Sequence, residues 1–445
     1  MIKLLLPIFS GVLVGLAFVP YSLWPLAIVG IHLIFTNQSE NFRIRLIQNL
    51  IFGLALNLFV LSWVRVYVGI MPLLILILLE ALPYLFLTFL PRTKNWTTPF
   101  IWGSGWVFIE YLVRNLPFGG FGWVRIGFAD LPFVNGALRI FGVPGVTFLF
   151  ISFSVMIALR VMTQMIGLLL ILLISSFFGG KSLPLQAMTV SLVQGGIGAN
   201  SENYQSLINA TQLKSTSLII LPEDASRSLK SKEITLRSKL PIIYGRVLES
   251  IPRFENQAIF QDLERSTIYS KQYLTPFGEY IPLRGFVEKF NSHTSEVVDF
   301  QKGVKNIVYS FGKMKIVPII CYELLSDSLI RDAGKNSSFI VALTNTSTFN
   351  YTAEVSQELQ IAKIRAIQTG RDIAYVATTA GTSIIHRSGH LSATSPEYLP
   401  YILDGEISSY SEITIWSKFG DRLEFLLIIC FIPLMARSKS SRMGD

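Results

Sequence analysis

Cysteine is nearly missing from this chain: 445 residues hold two, Cys321 and Cys430. Cys430 stands in the last apolar segment and Cys321 in a polar region, so no structural disulfide between them is expected. Histidine is as scarce. His32, His293, His386 and His390 make no ligand cluster, so neither a metal site nor a cofactor is indicated. Charge is low as well, with Asp, Glu, Lys and Arg at 15% of residues against 51% hydrophobic. A net charge of +9 could suggest nucleic acid, but the basic residues are dispersed and no nucleic-acid motif accompanies them. The first apolar stretch lacks a following small-residue cleavage site, so it reads as a retained span rather than a signal peptide.

What is present is unevenly spread. From Met1 to about Gly180 charged residues are sparse, whereas Lys181 to Tyr410 has the polar turns and charge density of a soluble domain. With a mean hydropathy of +0.49, this reads as a polytopic α-helical membrane domain joined to a globular one. The apolar runs place spans at about Lys3–Val19, Tyr21–Phe35, Leu46–Val64, Met71–Leu90, Pro99–Val113, Leu138–Arg160 and Met162–Phe178. A further one lies near Leu423–Met435. Several fall short of the ~20 residues a span usually needs. The expected boundaries are 1–180 for about seven membrane helices, 181–411 for the soluble domain, and 412–445 for a last helix with a basic tail.

Lysine and arginine placement suggests an orientation. With the N-terminus in the cytoplasm, the inside loops collect Lys3, Arg43, Arg45, Arg92, Lys94 and Arg160, and the tail adds Arg437, Lys439 and Arg442. The outside loops hold mainly Arg65, Arg114 and Arg125. The positive-inside rule then puts Lys181–Tyr410 on the extracytoplasmic face. One outside loop runs Asn115-Leu-Pro-Phe-Gly-Gly-Phe-Gly-Trp123-Val-Arg125, with Glu110 and Arg114 just before it. Charges at this depth are costly. Two readings stay open: an aromatic belt with a Glu–Arg pair that fixes helix packing, or a lipid-facing loop beside the active site.

In the soluble part short β-rich runs recur at Met188–Gln194, Ser217–Leu221, Pro241–Gly245, Lys315–Cys321, Ser338–Thr344 and Ile373–Thr379. Polar or helix-like stretches separate many of them, notably Ala353–Thr369. Continuous apolar strands alternating with helices predict a layered α/β fold. In such folds the carboxyl ends of strands converge on one rim. Leu218-Ile-Ile-Leu-Pro-Glu223 delivers a glutamate there, and Lys315-Ile-Val-Pro-Ile-Ile-Cys321-Tyr-Glu323 delivers a cysteine. Lys271 is expected in a loop before Pro276-Phe-Gly.

These side chains suit acyl transfer. A free thiol is mostly protonated near neutral pH and needs a base or a positive field. No histidine lies near these motifs. Glu223, after four apolar residues and a proline, can serve if its surroundings raise its pKa. Lys271 would favour the thiolate and steady the oxyanion of a tetrahedral intermediate. Glu279 and Glu323 would be second carboxylates that orient Lys271 or complete the hydrogen bonding.

Glu223, Lys271 and Cys321, in that chain order, resemble the Glu–Lys–Cys triad of the nitrilase superfamily. The flanks are similar to those of the apolipoprotein N-acyltransferase family: Val193-Gln-Gly, Leu-Thr-Pro-Phe-Gly-Glu-Tyr-Ile-Pro282, Ile-Cys-Tyr-Glu323, Ile364-Arg-Ala-Ile-Gln-Thr-Gly-Arg371 and Gly381-Thr-Ser383. Ser62-Trp63, Gly120-Phe-Gly-Trp123 and Gly142-Val-Pro-Gly145 resemble motifs of its membrane part. Three departures stand out. The family's Thr-Asn-Asp-Ala-Trp-Phe reads Thr344-Asn-Thr-Ser-Thr-Phe349, its Gln-His pair reads Gln357-Glu358, and Gly122 replaces a proline.

The resemblance implies an extracytoplasmic nitrilase-like αββα sandwich beside a multi-pass domain in the bacterial cytoplasmic (inner) membrane. It implies a ping-pong transfer of an acyl chain from a membrane phospholipid, through a Cys321 thioester, to the α-amine of a diacylglyceryl-lipoprotein. Tyr322 would lend its backbone N–H to the oxyanion, and Trp123, Phe277 and Phe349 would contact substrate. A monomer is expected. The alternatives are a membrane-tethered nitrilase-type amidase and a non-catalytic envelope scaffold.

Overall fold

The computed structural model describes residues 2–176, 182–212, 215–229, 236–250, 253–263, 265–282, 284–287 and 298–430. The chain divides into two units, Met1–Gly179 with Lys418–Asp445, and Gly180–Ser417.

In the first unit a helix overlaps each expected span: Ile2–Gly15, Trp24–Thr36, Phe42–Leu61, Ile70–Ala81, Thr98–Asn115, Asn135–Leu159 and Met162–Ser176. Among the described residues, three stretches are long and apolar enough to cross a membrane: Phe42–Val68, Ile70–Phe89 and Asn135–Leu159. The Asn135–Leu159 helix breaks at Gly142, whose φ is +69°, and Pro144 follows without an N–H to donate. A last helix runs Ile415–Ile429. The rest of the expected final span to Met435, the basic tail and Lys181 lie outside the described residues.

The expected Glu–Arg pair is formed differently. Glu110 accepts the Ile126 N–H at 2.7 Å and the Thr147 hydroxyl at 2.9 Å, and lies 3.8 Å from Arg125 Nε. Arg114 instead reaches Glu424 at 2.8 Å. Both partners of Glu110 come from beyond the loop's tip, so this buried carboxylate pins the loop to its own helix. Trp123 is buried between Phe121 and Trp63, with ring centroids 5.9 and 4.8 Å away.

The second unit holds thirteen strands among the described residues: β1 (Gln186–Gln194), β2 (Leu218–Ile220), β3 (Ser226–Leu229), β4 (Ile242–Ser250), β5 (Arg253–Gln261), β6 (Ser266–Ser270), β7 (Tyr309–Phe311), β8 (Met314–Ile320), β9 (Phe339–Thr344), β10 (Ile373–Ala377), β11 (Ser383–Ile385), β12 (Leu391–Thr394) and β13 (Tyr401–Ser409). One sheet runs β13-β1-β2-β4-β5-β6, with β3 also on β4. The other runs β12-β11-β10-β9-β8-β7.

Side-chain alternation builds the layers. Leu218 and Ile220 join Ile316, Ile320, Val341, Leu343 and Val376 in a core shared by both sheets. Ile219 and Leu221 point the other way, to Tyr204 and Ile208 of helix Ser201–Thr211. Strands buried on both faces read as unbroken apolar runs, as β2 and β9 do. Helices Asp327–Asn336 and Ala353–Thr369 pack on the second sheet. The result is a helix–sheet–sheet–helix sandwich.

Candidate active site

Three strands end at the candidate residues. From β2, Leu221-Pro222 carries the chain to Glu223. Strand β4 passes so close that a Cβ on Gly245 would stand 2.5 Å from the Glu223 Cα. Strand β6 ends at Ser270, so Lys271 opens the loop that follows it, as expected. Its N–H bonds to the Asn256 carbonyl at 2.8 Å, which fixes its height on β5.

Strand β8 delivers Cys321 in the left-handed region, φ +48°. That conformation is uncommon outside glycine and persists only where the surroundings hold it. Here a turn, Cys321–Leu325, is held by buried Arg365, which donates to the Leu324 carbonyl at 2.8 Å and the Leu325 carbonyl at 3.1 Å. Arg365 also pairs with Asp327 at 2.7 Å. The Ile364–Arg371 motif is thus a clamp on the cysteine turn.

Lys271 is 1% exposed, and its Nζ lies 2.9 Å from Glu279 and 3.4 Å from Glu223. Asn256 donates to both carboxylates at 2.6 Å each. The Asn345 N–H holds the other Glu223 oxygen at 2.8 Å. Glu279 is aimed by the turn Thr275–Tyr280, in which Phe277 has φ +62° and bonds the Tyr280 carbonyl at 2.8 Å.

Glu323 does a different job. Fully buried, it accepts the Tyr269 hydroxyl at 2.8 Å and the N–H groups of Gln272 (2.6 Å), Tyr273 (3.2 Å) and Ile320 (2.9 Å). One carboxylate therefore ties the segment after Lys271 to the residue before Cys321. Burial raises its pKa to about 7. Tyr322 follows the cysteine in the same turn, and half-buried Phe349 closes the turn Ser347–Phe349.

The charges set the resting state. Burial pushes the Glu223 pKa up, Glu279 and Asp224 add to this, and Lys271 and Asn256 oppose it. Burial works against a charged Lys271, yet Glu279, Glu223 and Cys321 together hold its pKa well above the ordinary value. Burial also raises the Cys321 thiol, helped by Glu223 and Glu358, while Lys271 and a hydrogen bond from Thr344 draw it down. The resting site is therefore a neutral thiol, a fixed ammonium and a carboxylate of raised basicity. That combination can take a proton from sulfur as a carbonyl arrives and meet the new oxyanion with a positive charge.

Sequence reasoning missed Asn256, which carries no motif and shows itself only through strand pairing. It also gave Thr344 no role, and treated Glu358 merely as a departure from a pattern. Both are buried, and Thr344 donates to Glu358 at 2.8 Å.

Comparison with known proteins now bears on both units. The model for the apolipoprotein N-acyltransferase N-terminal domain matches residues 10–156. The apolipoprotein N-acyltransferase of Wigglesworthia glossinidia brevipalpis is 27% identical over 492 aligned positions that cover 97% of each chain. That of Haemophilus influenzae is also 27% identical, over 97% of this chain and 94% of its own. The N-terminal part of the chain thus matches the apolipoprotein N-acyltransferase N-terminal domain, and nearly its whole length is similar to apolipoprotein N-acyltransferases. That of Haemophilus ducreyi is 28% identical over 78% of this chain and 77% of its own. Among solved structures, a CN-hydrolase superfamily protein from Xanthomonas campestris covers 50% of this chain and 91% of itself, at 16% identity and a TM-score of 0.40.

Proposed function

We propose that this membrane protein is an apolipoprotein N-acyltransferase whose chemistry runs through Cys321, Lys271 and Glu223. Glu223 takes the thiol proton as the Cys321 sulfur attacks the carbonyl carbon of a phospholipid ester. Lys271, with the Tyr322 backbone N–H, stabilises the oxyanion. The intermediate collapses, Glu223 returns the proton to the departing alkoxide, and a lysophospholipid leaves. The thioester then meets the α-amine of an N-terminal diacylglyceryl-cysteine. Glu223 accepts the amine's proton, an amide forms, and the thiol is restored.

The observation that carries this reading is the Lys271 ammonium held between two carboxylates, 2.9 Å from Glu279 and 3.4 Å from Glu223, at strand ends shared with Cys321. Both substrates are lipids, which supports the coupling of this site to a membrane unit. Each CH₂ left in water would cost about 0.8 kcal/mol, so substrates delivered within the bilayer avoid a large penalty. The Lys/Arg distribution supports a bacterial inner-membrane protein with residues 181–411 outside the cytoplasm and 412–445 returning to it. Phe277, Phe349 and Trp123 are proposed contacts for acyl chains.

The test is intact-mass analysis of the full chain after incubation with phospholipid vesicles. We expect an acyl adduct on Cys321 that a diacylated lipopeptide discharges as amide, and none on Cys321→Ala. An adduct on Cys321→Ala would refute the nucleophile. Turnover of a soluble amide without phospholipid would favour an amidase instead.

A further inference from the structure

The transfer just described leaves Glu358 unused, although it is buried beside the reacting sulfur. It stands on helix Ala353–Thr369, which covers the outer face of the second sheet. Its oxygens accept the Thr344 hydroxyl at 2.8 and 3.0 Å and the Tyr375 hydroxyl at 3.0 Å. Strand register explains the grouping. Thr344 pairs with Ala377 and Ala342 with Tyr375, so the Thr344 and Tyr375 side chains leave the same sheet face. Ile320 pairs with Leu343 in parallel, so the next residues on each strand, Cys321 and Thr344, lie side by side at the rim.

A hydroxyl has one hydrogen to give. While Glu358 is ionised, the Thr344 hydrogen points to it. When Glu358 carries a proton, it can donate to the Thr344 oxygen, and the hydroxyl hydrogen is released toward sulfur. We propose that Glu358 is a positioning residue acting through Thr344: its protonated form lets Thr344 stabilise the Cys321 thiolate, and its ionised form withholds that hydrogen bond.

The surrounding charges fit such a role. Burial sets the Glu358 carboxyl at about 7, with Glu223 raising it and Lys271, Thr344 and Tyr375 lowering it. Glu354, one turn earlier on the same helix, is buried and shares a hydrogen bond with Glu358, so the two carboxyls titrate as a pair. The groups facing Glu358 are thus Glu354, Glu223, Lys271, Cys321 and Tyr375. Ionisation of the pair adds negative charge beside the sulfur and removes its donor at the same step. Thioester formation then declines on the alkaline side, opposite to the rise expected of a lone thiol.

The inference rests on Cys321 as the nucleophile, so two readouts are needed. The full chain in detergent is treated with iodoacetamide, and alkylation of the Cys321 peptide is followed by mass from pH 6 to 9. Acyl adduct formation from phospholipid vesicles is followed over the same range. In Glu358→Gln the amide N–H donates to the Thr344 oxygen at every pH. We expect about tenfold faster Cys321 alkylation at pH 8, the effect of roughly one pKa unit, and loss of the alkaline decline in adduct formation. Thr344→Val should reduce the Glu358→Gln gain below about twofold, and Thr344→Ser should restore it. An unchanged pH profile in Glu358→Gln would overturn the proposal, as would a full tenfold gain in the Thr344→Val background. A shifted alkylation profile with no adduct at any pH would refute acyl transfer while leaving the role of Glu358 standing.

Discussion

The Lys271 ammonium lies 2.9 Å from the Glu279 carboxylate, closer than the 3.4 Å that separates it from Glu223. Glu279 therefore orients the cation, and Glu223 stays less fully neutralised and more able to take a proton. In Glu279→Gln the ammonium turns to Glu223, lowers its basicity and leaves the oxyanion position. Acyl-enzyme formation should fall by about 10²-fold, with the acid limb of its pH profile moving down. An unmoved limb would mean that Glu279 only shapes the turn.

Asn256 has the opposite effect on the base. Its 2.6 Å hydrogen bond to Glu223 favours the charged form of that carboxylate. Glu223 must be ionised to accept the thiol proton, and its raised pKa places the acid limb above the ordinary carboxylate range. Asn256→Ala should push that limb higher still. Single-turnover adduct formation should then fall further below that of the unsubstituted protein at pH 6.5 than at pH 8.

Removing the cation should be more severe. Lys271→Met leaves Glu223 and Glu279 bridged by Asn256 with nothing positive between them, so the pair must retain a proton. Adduct formation is expected to drop by about 10³-fold or more, from loss of both base and oxyanion stabilisation. Mass analysis of the trapped thioester reads this directly, and near-normal yield would assign the oxyanion to another donor.

Glu323 governs stability more than chemistry. It satisfies four donors inside the sandwich, and Glu323→Ala would strand them away from water. The expected cost is about 3–5 kcal/mol, visible as faster proteolysis within 182–417. Tyr269→Phe removes one of the four bonds and should cost about 1 kcal/mol.

Glu110 makes the same argument in the membrane unit. Glu110→Ala takes the carboxylate from buried Arg125 and frees the Ile126 N–H. Loss of about 3–5 kcal/mol is expected, measured as lower thermal stability in detergent. Arg114→Ala, whose partner Glu424 lies on the last helix, should leave the 116–128 loop intact.

Glu223 and Cys321 were legible because a strand buried on both faces is an unbroken apolar run, and the first polar residue after it marks the rim. Ala353–Thr369 was equally plain, since its apolar spacing and caps agree. The antiparallel strands were not. Arg253–Gln261 and Ser266–Ser270 are rich in polar residues, and their place comes from pairing, β5 on β4 and β6 on β5, rather than from local preference. Asn256 went with them unnoticed, whereas Lys271 stands in the loop where the sequence put it. Glu358 read only as a departure from a pattern, because sequence spacing cannot show that its side chain is buried beside Thr344.

Gly245 carries no functional group, yet β4 touches the Glu223 backbone at that point. Alanine there would shove the carboxylate sideways without altering any reacting atom. Catalytic reach in this protein is thus adjustable from a neighbouring strand, and a methyl group at position 245 would be the smallest wedge capable of detuning it.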